Sequence, residues 1–228
     1  MFSLDKWRSG QEWRNWSESQ RAMPEQFLLP RSINEVIACV KDAVAGQQSI
    51  RVTGAAHSFS PVAKPEQVAL SLHHLRGLIS VDAKANEATF YAGTYLHEIG
   101  ELLAPYGLAL SNMGDIQDQS LAGVISTGTH GTGVTLGSFS SMVVMWGIVD
   151  GHGVYREVVR GDDDLSRALH VSLGLLGVLV KVTIQVVPLY NLRYVSVRRA
   201  LGEELAQFQT SIRANRHVEW LSLIHISE

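Results

Sequence analysis

Between Gly114 and Gly133 the chain carries five glycines (114, 123, 128, 131 and 133) and five hydroxyl residues (120, 126, 127, 129 and 132), with no lysine or arginine among them. Few features constrain a fold more. So little side-chain bulk means tight turns and close approach of backbone to backbone or to a ligand. A phosphate held here would be held by amides and hydroxyls, not by a point charge. A lysine-bearing phosphate loop is excluded, because no lysine follows any of these glycines. The dinucleotide pattern GxGxxG is excluded too, because Leu136 stands where its third glycine should fall after Gly131 and Gly133. On composition alone, a set of turns in a β-rich domain and a ligand cradle are equally good readings.

A second stretch of the same character precedes it: Arg51-Val52-Thr53-Gly54-Ala55-Ala56-His57-Ser58-Phe59-Ser60-Pro61. It begins as a strand, Ser49–Val52, and breaks into small residues. Gly54 is free to take a positive φ and Ala55 and Ala56 add little bulk, so the amides of the loop can converge on an anion. His57 and His130 lie inside small-residue loops, where packing alone would not bury an imidazole, and both are candidate functional residues. The other histidines are weaker candidates. His73 and His74 are neighbours that a strand would turn to opposite faces, His97 and His170 sit on helical stretches, and His152 is in a turn. No His/carboxylate or multi-cysteine spacing points to a metal, and the lone Cys39 excludes an internal disulfide.

A net charge of −3 over 228 residues gives no electrostatic argument for nucleic acid or an anionic membrane as partner. The longest apolar runs, 142–149 and 173–180, are too short to span a bilayer, and residues 1–8 lack the apolar core of a signal peptide. The expectation is a soluble, cytoplasmic protein, with peripheral membrane association left open.

The first thirty residues, polar with Trp7, Trp13, Trp16 and Phe27 interspersed, read as an irregular arm docked by its rings. Ser32 and Glu35 have capping-box spacing, and Ile33, Val36, Ile37, Val40 and Val44 follow as one helical stripe that Gly46 ends, with Cys39 at its edge. A short strand is predicted at 67–72, a hairpin at 78–83 and 87–92, and an amphipathic helix at 94–106 with Leu96, Ile99, Leu102, Leu103 and Tyr106 on one face. Strands at 142–149 and 154–159 flank the turn 150–153, and a helix covers 162–171. The alternation from Val178 to Val187 predicts a half-buried strand stopped by Pro188. A further strand at 192–199 and a helix over 201–212 close the list. Mixed strands and helices without regular βαβ alternation predict the α+β class.

Taken together, R-x-x-G-x-x-H-S-F-S from Arg51 and G-D-I-x-x-Q-S-L-A-G-V-I-S-T-G-T-H-G-T-G from Gly114 resemble the PCMH-type FAD-binding proteins of the vanillyl-alcohol oxidase superfamily, in their aldonolactone and sugar-alcohol oxidase branch. Trp13-Arg14-Asn15-Trp16-Ser17 and Pro30 also look like that branch, and the likeness extends over residues 10–220. The resemblance implies a two-subdomain FAD-binding fold of mixed sheets flanked by helices, with an arm at 1–30, an FAD domain at 31–190 (31–83 and 84–190), and the start of a substrate-binding cap at 191–228. It implies FAD bonded covalently to His57, with Arg51, Thr53, Gly54, Ala55, Ala56, Ser58 and Phe59 around the pyrophosphate. Gly114, Asp115, Ser120, Gly123, Ser126, Thr127, Gly128, Thr129, His130 and Gly133 would line the other side. Gly177, Val178 and Val182 would close over the adenine end or the ring edge.

The activity implied is oxidation of a CH–OH group of an aldono-1,4-lactone such as D-arabinono- or L-gulono-1,4-lactone. Hydride would pass to flavin N5, with O2 or another acceptor reoxidising it. An alditol oxidase and a flavin-binding module without turnover are the alternatives, and the 114–133 motif argues against a reductase of the cell-wall precursor branch. The family usually continues for about as many residues again, and residues 221–228 do not continue its pattern. The base and the substrate contacts are therefore expected outside this chain.

Overall fold

A computed structural model describes residues 12–221. Trp7 and residues 222–228, to which the sequence assigned a docking ring and an atypical tail, lie outside the described residues. The chain opens with β1 (Trp13–Arg14) and β2 (Arg21–Ala22), an antiparallel pair, then β3 (Gln26–Leu28) and α1 (Ile33–Ala45). β4 (Ile50–Val52) and β5 (Val68–Leu70) join β3 in a parallel sheet ordered β3-β5-β4. Phe27 of the expected irregular arm is thus a strand residue. β6 (Leu78–Asp82), β7 (Glu87–Tyr91), α2 (Leu96–Leu103), β8 (Leu108–Ala109) and α3 (Leu121–Ser126) follow. β9 (Val143–Val149), β10 (Tyr155–Val159), α4 (Asp164–Leu169), β11 (Val178–Gln185), β12 (Val187–Pro188) and α5 (Leu201–Ala214) complete the order. The second large sheet is antiparallel, β10-β9-β11-β7-β6, and β12 pairs with β8.

Local chemistry accounts for most of these elements. Ser32 Oγ accepts from the Glu35 amide at 3.1 Å, satisfying a first-turn donor of α1, and Glu35 Oε2 reaches back to accept from the Arg31 amide, just ahead of the cap, at 2.9 Å. Gly46 ends the helix but stays right-handed (φ −81°); the left-handed residue is Gln47 (φ 54°). Val36, Val40 and Ala43 bury the inner face, whereas Val44, placed on the stripe by its spacing, is exposed. α2 buries Leu96, Ile99 and Leu103 and passes into a 3₁₀ turn, leaving Tyr106 exposed.

β11 departs most from its expected half-burial. It lies between β9 and β7, so Leu179 and Thr183 are buried as well as Val178, Val180, Val182 and Ile184. Thr183 reaches the Thr89 hydroxyl on β7 at 2.9 Å. One continuous cluster, including Val36, Leu70, Phe90, Leu96, Trp146 and Val182, packs α1, α2 and both sheets together. The expected strand at 192–199 does not form. Residues 191–200 carry no regular structure and are exposed, and they lead into α5, which buries none of its side chains. Among the described residues no helix is long and apolar enough to cross a membrane.

Candidate functional site

β4 and β5 run parallel, and both chains leave the sheet at the same end. Thr53–Phe59 follows β4 and Ser71–His73 follows β5, the position at which parallel strands leave a crevice for ligands. Ser120–Thr129 forms the facing wall and Leu173–Gly177 the third side of a cleft of about 360 Å³, within the range of small-molecule and cofactor sites.

The first loop leaves the sheet through Thr53, whose amide donates to the Leu70 carbonyl at 2.8 Å. Gly54 is not left-handed; the residue with positive φ is Ala56 (57°), a conformation that costs an L-residue about 1 kcal/mol and persists only where the surroundings hold it. Glycine is required at 54 for another reason. A Cβ there would sit 2.6 Å from Ser120 Oγ. Ser120 is buried and its Oγ caps α3 by accepting from the Gly123 amide, so the two small-residue stretches meet at this contact. The amides of Gly54, Ala55, Ala56, His57 and Ser58 have no acceptor among the described residues. Among the described residues no lysine or arginine lines the cleft.

His57 lies on the cleft wall, its ring stacked on Trp16 with centroids 5.5 Å apart and planes 25° from parallel. Burial lowers its pKa below the ordinary histidine value, against the opposing pull of the Asp118 backbone carbonyl and carboxylate. The neutral imidazole, with a lone pair on one nitrogen, is therefore favoured at neutral pH. Tyr95, also on the wall, has its phenol pushed up by burial, and Arg76 lies 5.4 Å from its ring centre.

Of the residues singled out in the sequence, the fold brings Thr53, Gly54, Ala55, Ala56, His57, Ser58 and Phe59 onto one wall, with Ser120, Gly123, Ser126, Thr127, Thr129 and Gly177 on the others. Arg51 is in β4 opposite Ala69, and Val178 and Val182 are core residues of β11. Gly114, Asp115, Gly128, His130 and Gly133 stand off the lining. Asp115 is exposed, Gly128 and Gly133 make left-handed turns, and His130 Nδ1 lies 2.8 Å from the Gly131 carbonyl. Sequence reasoning missed Ser71, Leu72, His73, Gly93, Tyr95, Gln119, Leu173, Gly174 and Leu179. The sequence predicted the strand that 71–73 follow, but its parallel pairing with the strand before His57 is seen only in the fold.

Residues 24–158 match the family described as FAD binding domain. The chain belongs to that family. Its cofactor is FAD, and the residues present suit it: unengaged amides, neutral hydroxyls, and glycines where backbone must come close. The chain is 34% identical over 208 residues to the L-gulono-1,4-lactone dehydrogenase of Mycobacterium tuberculosis (91% of this chain, 48% of that protein). It is 34% identical over 223 residues to the D-arabinono-1,4-lactone oxidase of Kluyveromyces lactis (94% and 40%). It therefore spans half or less of the length of these relatives. Its fold is shared with a solvent-stable cholesterol oxidase, TM-score 0.67 at 23% identity over 78% of this chain and 37% of that one. The α+β class read from the mixed strands and helices holds, as does the PCMH-type FAD-binding fold that the two motifs imply.

Proposed function

We propose that the cleft holds the FAD dinucleotide between the 53–59 loop and the 120–129 wall, with the pyrophosphate on the free amides of Gly54–Ser58 and a covalent bond from His57 to the flavin 8α carbon. The observation that carries this reading is the row of unengaged amides beside a desolvated, neutral-leaning His57 on one wall of one cleft. Bound FAD supplies the two-electron acceptor for a hydride. The chain's own residues bind and orient. Neutral donors satisfy the diphosphate without the conformational freedom of a lysine, Gly54 keeps its loop close to Ser120 on the facing wall, and Trp16 lies against the His57 ring.

The activity proposed is oxidation of the CH–OH group of an aldono-1,4-lactone of the L-gulono or D-arabinono type, with O2 or another acceptor taking the electrons. Likeness to the two lactone enzymes supports it. The base and the lactone contacts are proposed to lie beyond a division at 1–30 arm, 31–190 FAD domain and 191–228 beginning of a substrate domain. Anaerobic addition of L-gulono-1,4-lactone, D-arabinono-1,4-lactone or xylitol to the flavin-loaded protein tests this, followed by flavin absorbance. Bleaching by a lactone supports the reading, and bleaching by xylitol alone would replace it with an alditol oxidase. Bound flavin that none of the three bleaches would make this chain a flavin-binding module.

A further inference from the structure

The residues on either side of His57 are tied to the same short segment. Trp16 donates its amide to the Ala56 carbonyl at 2.8 Å, and Asn15 Nδ2 donates to the Ser58 carbonyl at 2.9 Å. Asn15 is buried, 1% exposed, and is itself locked: its Oδ1 accepts from the Gln20 amide at 2.8 Å, and its amide donates to the Gln20 carbonyl at 3.1 Å. Strands β1 and β2 close around this turn. The clamp therefore grips the backbone immediately before and after His57, at the place where Ala56 is held left-handed.

The imidazole itself is held on one further side. Trp16 lies flat against it, and the edge of Phe59 stands against Trp16 at 6.3 Å and 84°. Trp16 remains 53% exposed, so burial of its own surface is a poor reason for its place; Trp13, three residues earlier in β1, is 2% exposed and packs for burial. A half-exposed indole laid on a histidine does something burial does not, which is to fix the plane of the smaller ring.

We propose that Trp16 is a positioning residue for His57: the indole face sets the plane of the imidazole while Asn15 holds the loop, so that one ring nitrogen is presented to the cleft in a fixed direction. An imidazole free to rotate and to exchange tautomers would present the reactive lone pair only part of the time. That this orientation serves flavin attachment rests on the proposed function; that Trp16 enforces it does not.

The test separates the two. The chain labelled with ¹⁵N-histidine is followed by long-range nitrogen–proton NMR at a pH where imidazoles are neutral, with the His57 signals assigned by their loss in His57→Gln. Wild type should show two well-separated nitrogen shifts of one dominant tautomer. Trp16→Phe should keep them, and Trp16→Leu should draw them together toward the average of a mixture while the remaining histidine signals stay in place. Trp16→Met, which keeps apolar bulk without a ring, replaces the leucine variant if that chain does not fold. A His57 that keeps its wild-type separation without the indole overturns the role of Trp16. In the second arm, purified chains are incubated with FAD and acid-stable flavin is measured over time. Initial attachment should slow by up to about 100-fold in Trp16→Leu, as for a misplaced reacting group, and recover in Trp16→Phe. Attachment at the wild-type rate in Trp16→Leu would also overturn the proposal. Absence of acid-stable flavin from every chain, wild type included, would refute the covalent reading, and the NMR arm alone would then decide the proposal.

Discussion

Gly54→Ala and Ser120→Ala, singly and together, probe the contact that joins the two small-residue stretches. A Cβ on residue 54 would meet Ser120 Oγ at 2.6 Å, and the next atom, Ser120 Cβ, lies at an ordinary 3.8 Å. Ser120 cannot yield freely, because it is buried and its hydroxyl caps α3. Forcing it aside should cost about 1–3 kcal/mol of overpacking and about 1 kcal/mol of lost cap. Ser120→Ala alone should cost only the cap, again about 1 kcal/mol. With the hydroxyl gone, the new methyl has room, so the double variant should be about as stable as Ser120→Ala. The coupling energy then equals the whole Gly54→Ala cost, about 2–4 kcal/mol, at or above the upper end of what residues in direct contact show. Urea unfolding of the four chains measures it, with the slopes checked for constancy. A Gly54→Ala cost that is the same in both backgrounds would refute the steric account and with it the claim that the two loops touch here.

Two further outcomes follow from single sites. Gly177 has φ 131°, and a Cβ there would sit 2.4 Å from the Val149 carbonyl oxygen. Gly177→Ala should therefore lower stability by at least about 3 kcal/mol, from backbone strain and overlap together, read as a fall in thermal midpoint; a loss under about 1 kcal/mol would contradict the geometry. In the β9–β10 turn, the hydrogen bond from Arg156 holds the Asp150 carboxyl at about 2, helped by the Val154 and His152 amides. A carboxylate whose pKa is depressed on folding contributes stability above its ordinary value of 3.8, and that contribution is lost as pH falls toward about 2. Arg156→Gln should raise the Asp150 titration measured by carboxyl NMR and flatten the loss of stability between those two values; an unmoved titration would remove Arg156 as the cause.

Much of the local structure was legible because single residues decide it. Ser32 and Glu35 announce α1, Asp150-Gly151-His152-Gly153 announces the β9–β10 turn, and Lys84-Ala85-Asn86 the β6–β7 hairpin, with Asn86 taking the positive φ. Features that depend on distant neighbours were not. The alternation in β11 says that one face is buried, but its central place between β9 and β7 buries the other as well. The same kind of alternation at 192–199 yields no strand: among the described residues none pairs with it, and its side chains are exposed. In the site, composition marked both loops and His57, yet it credited Gly54 with a left-handed turn that Ala56 makes, and missed Ser120 Oγ as the reason for the glycine. Trp16 stood out as one aromatic of a polar arm; only the fold lays it on His57.

The central claim, that this cleft holds FAD through His57, is tested most directly by denaturing the purified chain in acid, washing away free flavin, and reading flavin fluorescence on the protein band beside His57→Ala. The prediction is fluorescence on the wild type and none on the variant. Flavin released entirely by denaturation would contradict the role of His57, and a chain that neither purifies with FAD nor takes it up when supplied would contradict the cleft itself.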